Sequence, residues 1–187
     1  AKHCVEHNTW EQPVREDITK HLTKGSNLIA LRCRNEGGPG GMIGELVEAG
    51  CRYVHIDEPG YTAYVDEPSL AQMRSRGEDP MENFARSLAA NAAMIANFPG
   101  VTFGIHLCRG NQASMWHREG TYDAIAERLF TELPYDRFLL EYDSPRSGGF
   151  APLRFVPKGK VVVLGLVSTK VPELESVDTL MKRIDEA

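Results

Sequence analysis

The chain of 187 residues has no run of about 18 consecutive apolar residues, so hydropathy offers no membrane-spanning helix. Its opening, Ala1-Lys-His-Cys-Val-Glu-His7, has no apolar stretch of signal-peptide length, and a cytoplasmic address is the expectation. Basic residues are the minority, 21 Lys and Arg against 26 Asp and Glu, for a formal net charge of -5. With an isoelectric point near 5.7 and no basic cluster that outweighs its acidic neighbours, neither nucleic acid nor an anionic membrane is expected as a partner. Paired cysteines are also missing. Cys4, Cys33, Cys51 and Cys108 form no C-x-x-C spacing, which speaks against a disulfide framework or a closed zinc ribbon. Cys33 and Cys51 read as small buried hydrophobes. Cys4, beside His3 and His7, is assigned no function.

What is present suits a globular core: 42% of residues are hydrophobic and 25% charged, enough for one domain with a short appended piece. From residue 44 onward strands and helices alternate. Gly44 to Gly50 reads as a helix closed by glycine, and Cys51 to Ile56 as a strand climbing into Asp57-Glu-Pro59. Asp79-Pro80 starts a helix whose apolar face is expected to be Met81, Phe84, Leu88, Ala92 and Ile95. Strands follow at Val101 to Leu107, Arg137 to Tyr142 and Val161 to Val167, with helices at Glu119 to Glu132 and Ser176 to Glu186. Largely apolar strands separated by crossovers predict an α/β fold whose parallel sheet is covered on both faces. Active sites of such folds lie at the carboxyl ends of the strands, where Asp57, Glu58, His106, Cys108, Glu141 and Asp143 all fall.

Two of these strand ends carry ligand chemistry. His106 and Cys108 are two residues apart, so on an extended strand their side chains leave the same face. Glu141 ends the next apolar run. An imidazole, a thiolate and a carboxylate form a ligand set that Zn²⁺ accepts in a tetrahedron, with one position left open for chemistry. Asp57 and Glu58 are candidates for substrate binding at the same rim, or for capping the turn before Pro59. Arg146 and Arg154 suit either a structural carboxylate or an anionic substrate. Trp116, His117 and His55 are expected to be structural.

Residues 45–187 resemble the carboxyl-terminal half of the catalytic (β/α)₈ barrel in the cobalamin-independent methionine synthase family, zinc enzymes that methylate a thiol. The resemblance rests on Ile56-Asp-Glu-Pro59, Ile105-His-Leu-Cys108 and Leu140-Glu-Tyr-Asp-Ser-Pro-Arg146. Cys108-Arg-Gly-Asn111, Gly149-Phe-Ala-Pro-Leu-Arg154 and Val163-Leu-Gly-Leu-Val-Ser-Thr-Lys170 are closer to the family's short homologues, which include the coenzyme M epoxyalkane transferases. It implies a partial barrel of about four parallel strands, with zinc held by His106, Cys108 and Glu141. Asp57 would meet the amino group of a homocysteine-like thiol, and an alkyl donor would be the second substrate.

The pattern departs from the family in two places. A cysteine that supplies the fourth zinc ligand has no counterpart up to Ala187, and Val167 stands where methionine synthases carry a histidine. Two further readings follow: epoxide opening by a coenzyme M-type thiol, and a catalytically incomplete half barrel that pairs with itself to cover its open edges. Residues 1–42 resemble instead the last strands of the β-sandwich domain of family 2 glycoside hydrolases, on Val5-Glu-His-Asn8, Asp17-Ile-Thr19, Lys24-Gly-Ser-Asn27 and Leu28 to Arg34. They are expected to form a β-rich extension joined through Gly37 to Gly41, with the boundary near Met42.

Overall fold

The computed structural model describes residues 42–111 and 113–187, and Ile43–Ala187 form one unit. The β-rich extension, with Cys4 and Cys33, lies outside the described residues. Within the unit the order is α1 (Met42–Glu48), β1 (Tyr53–Asp57), α2 (Glu67–Ser75), α3 (Pro80–Ile95), β2 (Thr102–Leu107), α4 (Ala126–Glu132), β3 (Arg137–Glu141), β4 (Val161–Gly165) and α5 (Val177–Glu186), with 3₁₀ turns in the connections. The class is α/β. The four strands form one parallel sheet in the order β1-β2-β3-β4.

Alternation along the strands separates the two faces of this sheet. Val54, Phe103, Ile105, Leu107, Phe138 and Leu140 point to the side packed by helices and are at most 9% exposed. Phe84 and Leu88 of α3, and Leu129 and Phe130 of α4, close that layer, with the Phe130 ring set edge-on to Phe138 at 5.0 Å. Burial of these side chains supplies the main stabilisation, at roughly 1.5–3 kcal/mol for each fully buried aliphatic or aromatic group. The opposite face carries Tyr53, His55, Asp57, His106, Leu139, Glu141, Val161 and Val163, none of them fully buried. An expected cover on both faces is therefore found on one face among the described residues. The helices pack where the apolar alternation directs them, and the polar or exposed alternation stays open.

Other expectations shift for local reasons. Helix α2 was not anticipated; Asp66 caps it by accepting from the Ser69 amide at 3.0 Å, while its body buries little besides Met73 and so has weak periodicity. On α3 the inward positions are Phe84, Leu88, Asn91 and Ile95, whereas Met81 is exposed. Asn91 replaces an apolar residue because its amide finds partners there, Glu58 Oε2 at 3.3 Å and the Ser87 carbonyl at 3.2 Å. The helix expected over Glu119 to Glu132 is a 3₁₀ turn, Tyr122–Ala124, followed by α4. Gly120, at φ 120°, lies outside helical space, and it brings the backbone against the Val65 carbonyl. Cys51 is half-buried and donates to the Tyr53 carbonyl at 3.0 Å.

Candidate metal centre

Three strand ends converge. Asp57 pairs in register with His106 across β1 and β2, and Leu107 pairs with Leu140 across β2 and β3. One step on, Cys108 comes level with Glu141. The register between β2 and β3 is staggered, with Gly104 opposite Arg137, so the fifth residue of β3 aligns beyond the fifth residue of β2. Such a stagger is what tilts strands in barrel-like sheets.

Asp57 Oδ1 lies 2.8 Å from His106 Nδ1, and Glu141 Oε1 lies 3.5 Å from His106 Nε2. Ligand atoms of Asp57, His106 and Cys108 all fall within 4.8 Å of one another. Donors held at 2.0–2.3 Å around a tetrahedral zinc are about 3.3–3.8 Å apart, so this grouping fits a cation with modest closure. The chemistry of the set agrees, because two carboxylates and a thiol gather with one imidazole between them. The Glu141 hydrogen bond raises the His106 pKa against the effect of burial, with Asp57 adding to the rise. Burial pushes the Cys108 thiol up, and the Asp57 and Glu141 carboxylates push the same way.

Each member is held from outside the group. The Cys108 sulfur accepts the Gly110 amide at 3.3 Å. The fully buried Thr62 hydroxyl lies 2.9 Å from both the Cys108 and Pro59 carbonyl oxygens, tying the loop after β1 to the end of β2. Glu141 Oε1 accepts the Arg109 amide at 3.0 Å and Oε2 accepts from Arg146 at 3.2 Å. Although burial opposes its ionisation, these bonds and that from His106 bring the Glu141 pKa down to about 2.

The structure thus groups His106 and Cys108 with Asp57, which the sequence places at the rim as a substrate contact, while Glu141 stands beside this group, 3.5 Å from His106 Nε2. Glu58 is engaged elsewhere: its Oε1 accepts the Gly60 amide at 2.8 Å, and Asn91 takes Oε2. His55 lies one layer below, its ring 6.1 Å from that of His106 and set edge-on. Trp116 stacks under the Arg146 guanidinium at 4.8 Å. Arg154 donates to the Ala151 carbonyl at 2.6 Å. Arg146 takes the structural one of its two expected roles, pairing with the carboxylates of Glu141 and Asp143, whereas Asn91 as the partner of Glu58 was missed, since that pairing follows no strand or helix period. The Asp57–His106 pairing did have a signal, both being the fifth residue of adjacent parallel strands.

No helix among the described residues is long and apolar enough to cross a membrane. No protein-family model and no solved structure matches the chain. Two curated proteins of Bacillus subtilis (strain 168) are similar to it: YxjG, 42% identical over 149 residues, and YxjH, 38% identical over 149 residues. Both carry the description "uncharacterized protein". Each alignment takes in 78% of this chain but 39% of the relative, so the chain spans well under half the length of the curated relatives it matches.

Proposed function

We propose that this site serves zinc-dependent transfer of an alkyl group to a substrate thiol, as in the cobalamin-independent methionine synthase family that residues 45–187 resemble. The reading is supported above all by the grouping of Asp57, His106 and Cys108 at the carboxyl ends of two parallel strands, with Glu141 3.5 Å from His106 Nε2. The four-stranded sheet is then part of a (β/α)₈ barrel, with its open face turned to the barrel interior. His106, Cys108 and Glu141 would hold the ion. Zinc, when bound, supplies the means of keeping a coordinated substrate thiol deprotonated at neutral pH. Asp57 fixes the orientation and tautomer of His106 in the manner of a carboxylate–histidine pair. Being largely exposed, it also offers an oxygen to the amino group of a homocysteine-like thiol. A methyl group is the alkyl group of first choice, and an epoxide-opening transfer to a coenzyme M-type thiol, which lacks an amino group, is the second.

Zinc content and thiol alkylation, measured for the chain and for Cys108→Ser, test the proposal. Loss of both in the variant is expected, and unchanged metal with unchanged turnover would refute it.

Pairing of this sheet with a second copy is the alternative reading, favoured by one further observation. Among the described residues β1 and β4 are the sheet edges, and Val161 (47% exposed) and Val163 (42%) lie open on β4 beside Val167 (59%). Sedimentation would show a dimer, and a compact monomer at high concentration would count against it.

A further inference from the structure

Arg146 stands behind the candidate metal ligands, outside the set of side chains that face the ion position. Its side chain is 5% exposed, and its guanidinium spans two carboxylates: one terminal nitrogen lies 3.2 Å from Glu141 Oε2, the other 2.7 Å from Asp143 Oδ1 and 2.9 Å from Ser144 Oγ. Glu141 and Asp143 are two residues apart at the end of β3, which sends their carboxylates to the same side, where they would repel without a cation between them. The far oxygen of Asp143 is taken by Ser168 Oγ at 3.0 Å, and the Ser168 amide is bonded to Glu175 Oε1 at 2.8 Å. An uninterrupted series of polar contacts therefore runs from the loop after β4, through Asp143 and Arg146, to Glu141.

The two oxygens of Glu141 have separate partners. Arg146 takes Oε2, and this leaves Oε1 directed at the Arg109 amide and His106 Nε2, the side of the metal group. We propose that Arg146 is a positioning residue for the metal centre: by bridging Glu141 and Asp143 it sets the direction in which the Glu141 carboxylate presents its other oxygen, Oε1, to the metal group. The inference rests on the zinc reading of the site. Only a planar fork can meet both carboxylates in this geometry; an ammonium keeps the charge but loses one of the two directed contacts. Packing of the guanidinium against the Trp116 ring at 4.8 Å holds the plane of that fork.

The test measures zinc affinity by chelator competition, together with the visible spectrum of the cobalt(II)-loaded chain, which reports the ligand set. It compares the wild-type chain with Arg146→Lys, Asp143→Asn and Cys108→Ser, each checked for folding by circular dichroism. Arg146→Lys is expected to weaken zinc binding by about 10- to 100-fold, the range for outer partners of metal ligands, and to alter the cobalt spectrum. Asp143→Asn, which keeps the arginine but loosens its second anchor, should move both in the same direction by less. A folded Arg146→Lys with wild-type affinity and spectrum would overturn the inference, as would wild-type behaviour of Asp143→Asn should the lysine variant fail to fold. A wild-type chain that binds zinc no better than Cys108→Ser would overturn the metal reading itself, and this inference with it.

Discussion

Asp57 and His106 face each other across β1 and β2, their side chains joined at 2.8 Å through Oδ1 and Nδ1. That contact gives Asp57 a measurable duty apart from any substrate. On the zinc reading proposed above, Asp57→Ala should weaken zinc binding by about 10- to 100-fold without abolishing it, as expected when a histidine ligand loses the partner that orients it. His106→Ala and Cys108→Ser should lose more. Chelator competition on the three variants checks the order, and a wild-type affinity for Asp57→Ala would return that residue to a substrate role alone.

Asp66 joins two segments far apart in sequence. One carboxylate oxygen caps α2 through the Ser69 amide (3.0 Å) and hydroxyl (2.6 Å), and the other accepts the Glu119 amide at 3.1 Å. Burial would raise its pKa, but these hydrogen bonds outweigh it and hold the value below the ordinary 3.8. A depressed folded-state pKa means a contribution that is complete above pH 3.8 and lost as the pH falls below it. Asp66→Asn should therefore unfold at lower urea concentration than the parent at pH 7, by about 1–3 kcal/mol, with the gap narrowing in acid. Equilibrium urea titrations at both pH values measure this.

Gly120 has φ 120°, and a Cβ there would stand 1.9 Å from the Val65 carbonyl oxygen. Neither the dihedral nor the backbone atom can yield cheaply. Gly120→Ala is expected to lose more than about 1 kcal/mol and to disturb the Glu119–Asp66 contact next to it. Urea denaturation gives the loss, and the amide resonance of Glu119 reports the contact.

Phe138 is fully buried between the sheet and α4, with Phe130 edge-on at 5.0 Å. Phe138→Ala should cost about 3–5 kcal/mol by leaving a cavity in a layer that close-packed neighbours cannot refill. The same urea experiment checks it.

Sequence period carried much of this protein. The strands over residues 53–57, 102–107, 137–141 and 161–165 are short runs rich in β-branched and aromatic side chains, and each was legible with ends displaced by a residue or two. Asp79-Pro80 marked the start of α3, where Asp79 Oδ1 accepts the Met81 amide at 2.8 Å. His106 and Cys108 were legible as a pair because a strand returns every second side chain to one face. Less regular features escaped. Helix α2 shows almost no apolar period, and Asn91 occupies an inward position that composition assigns to an apolar residue.

The sequence by itself determined the α/β alternation and the presence of ligand-type side chains at strand ends, because both are written in local periods of two and about 3.6 residues. Only the tertiary structure decided which of those side chains meet. The stagger between β2 and β3 brings Glu141 level with Cys108, and the side chain of Arg146 reaches back to hold it. Register and return contacts join residues tens of positions apart, and no local pattern records the distance between them.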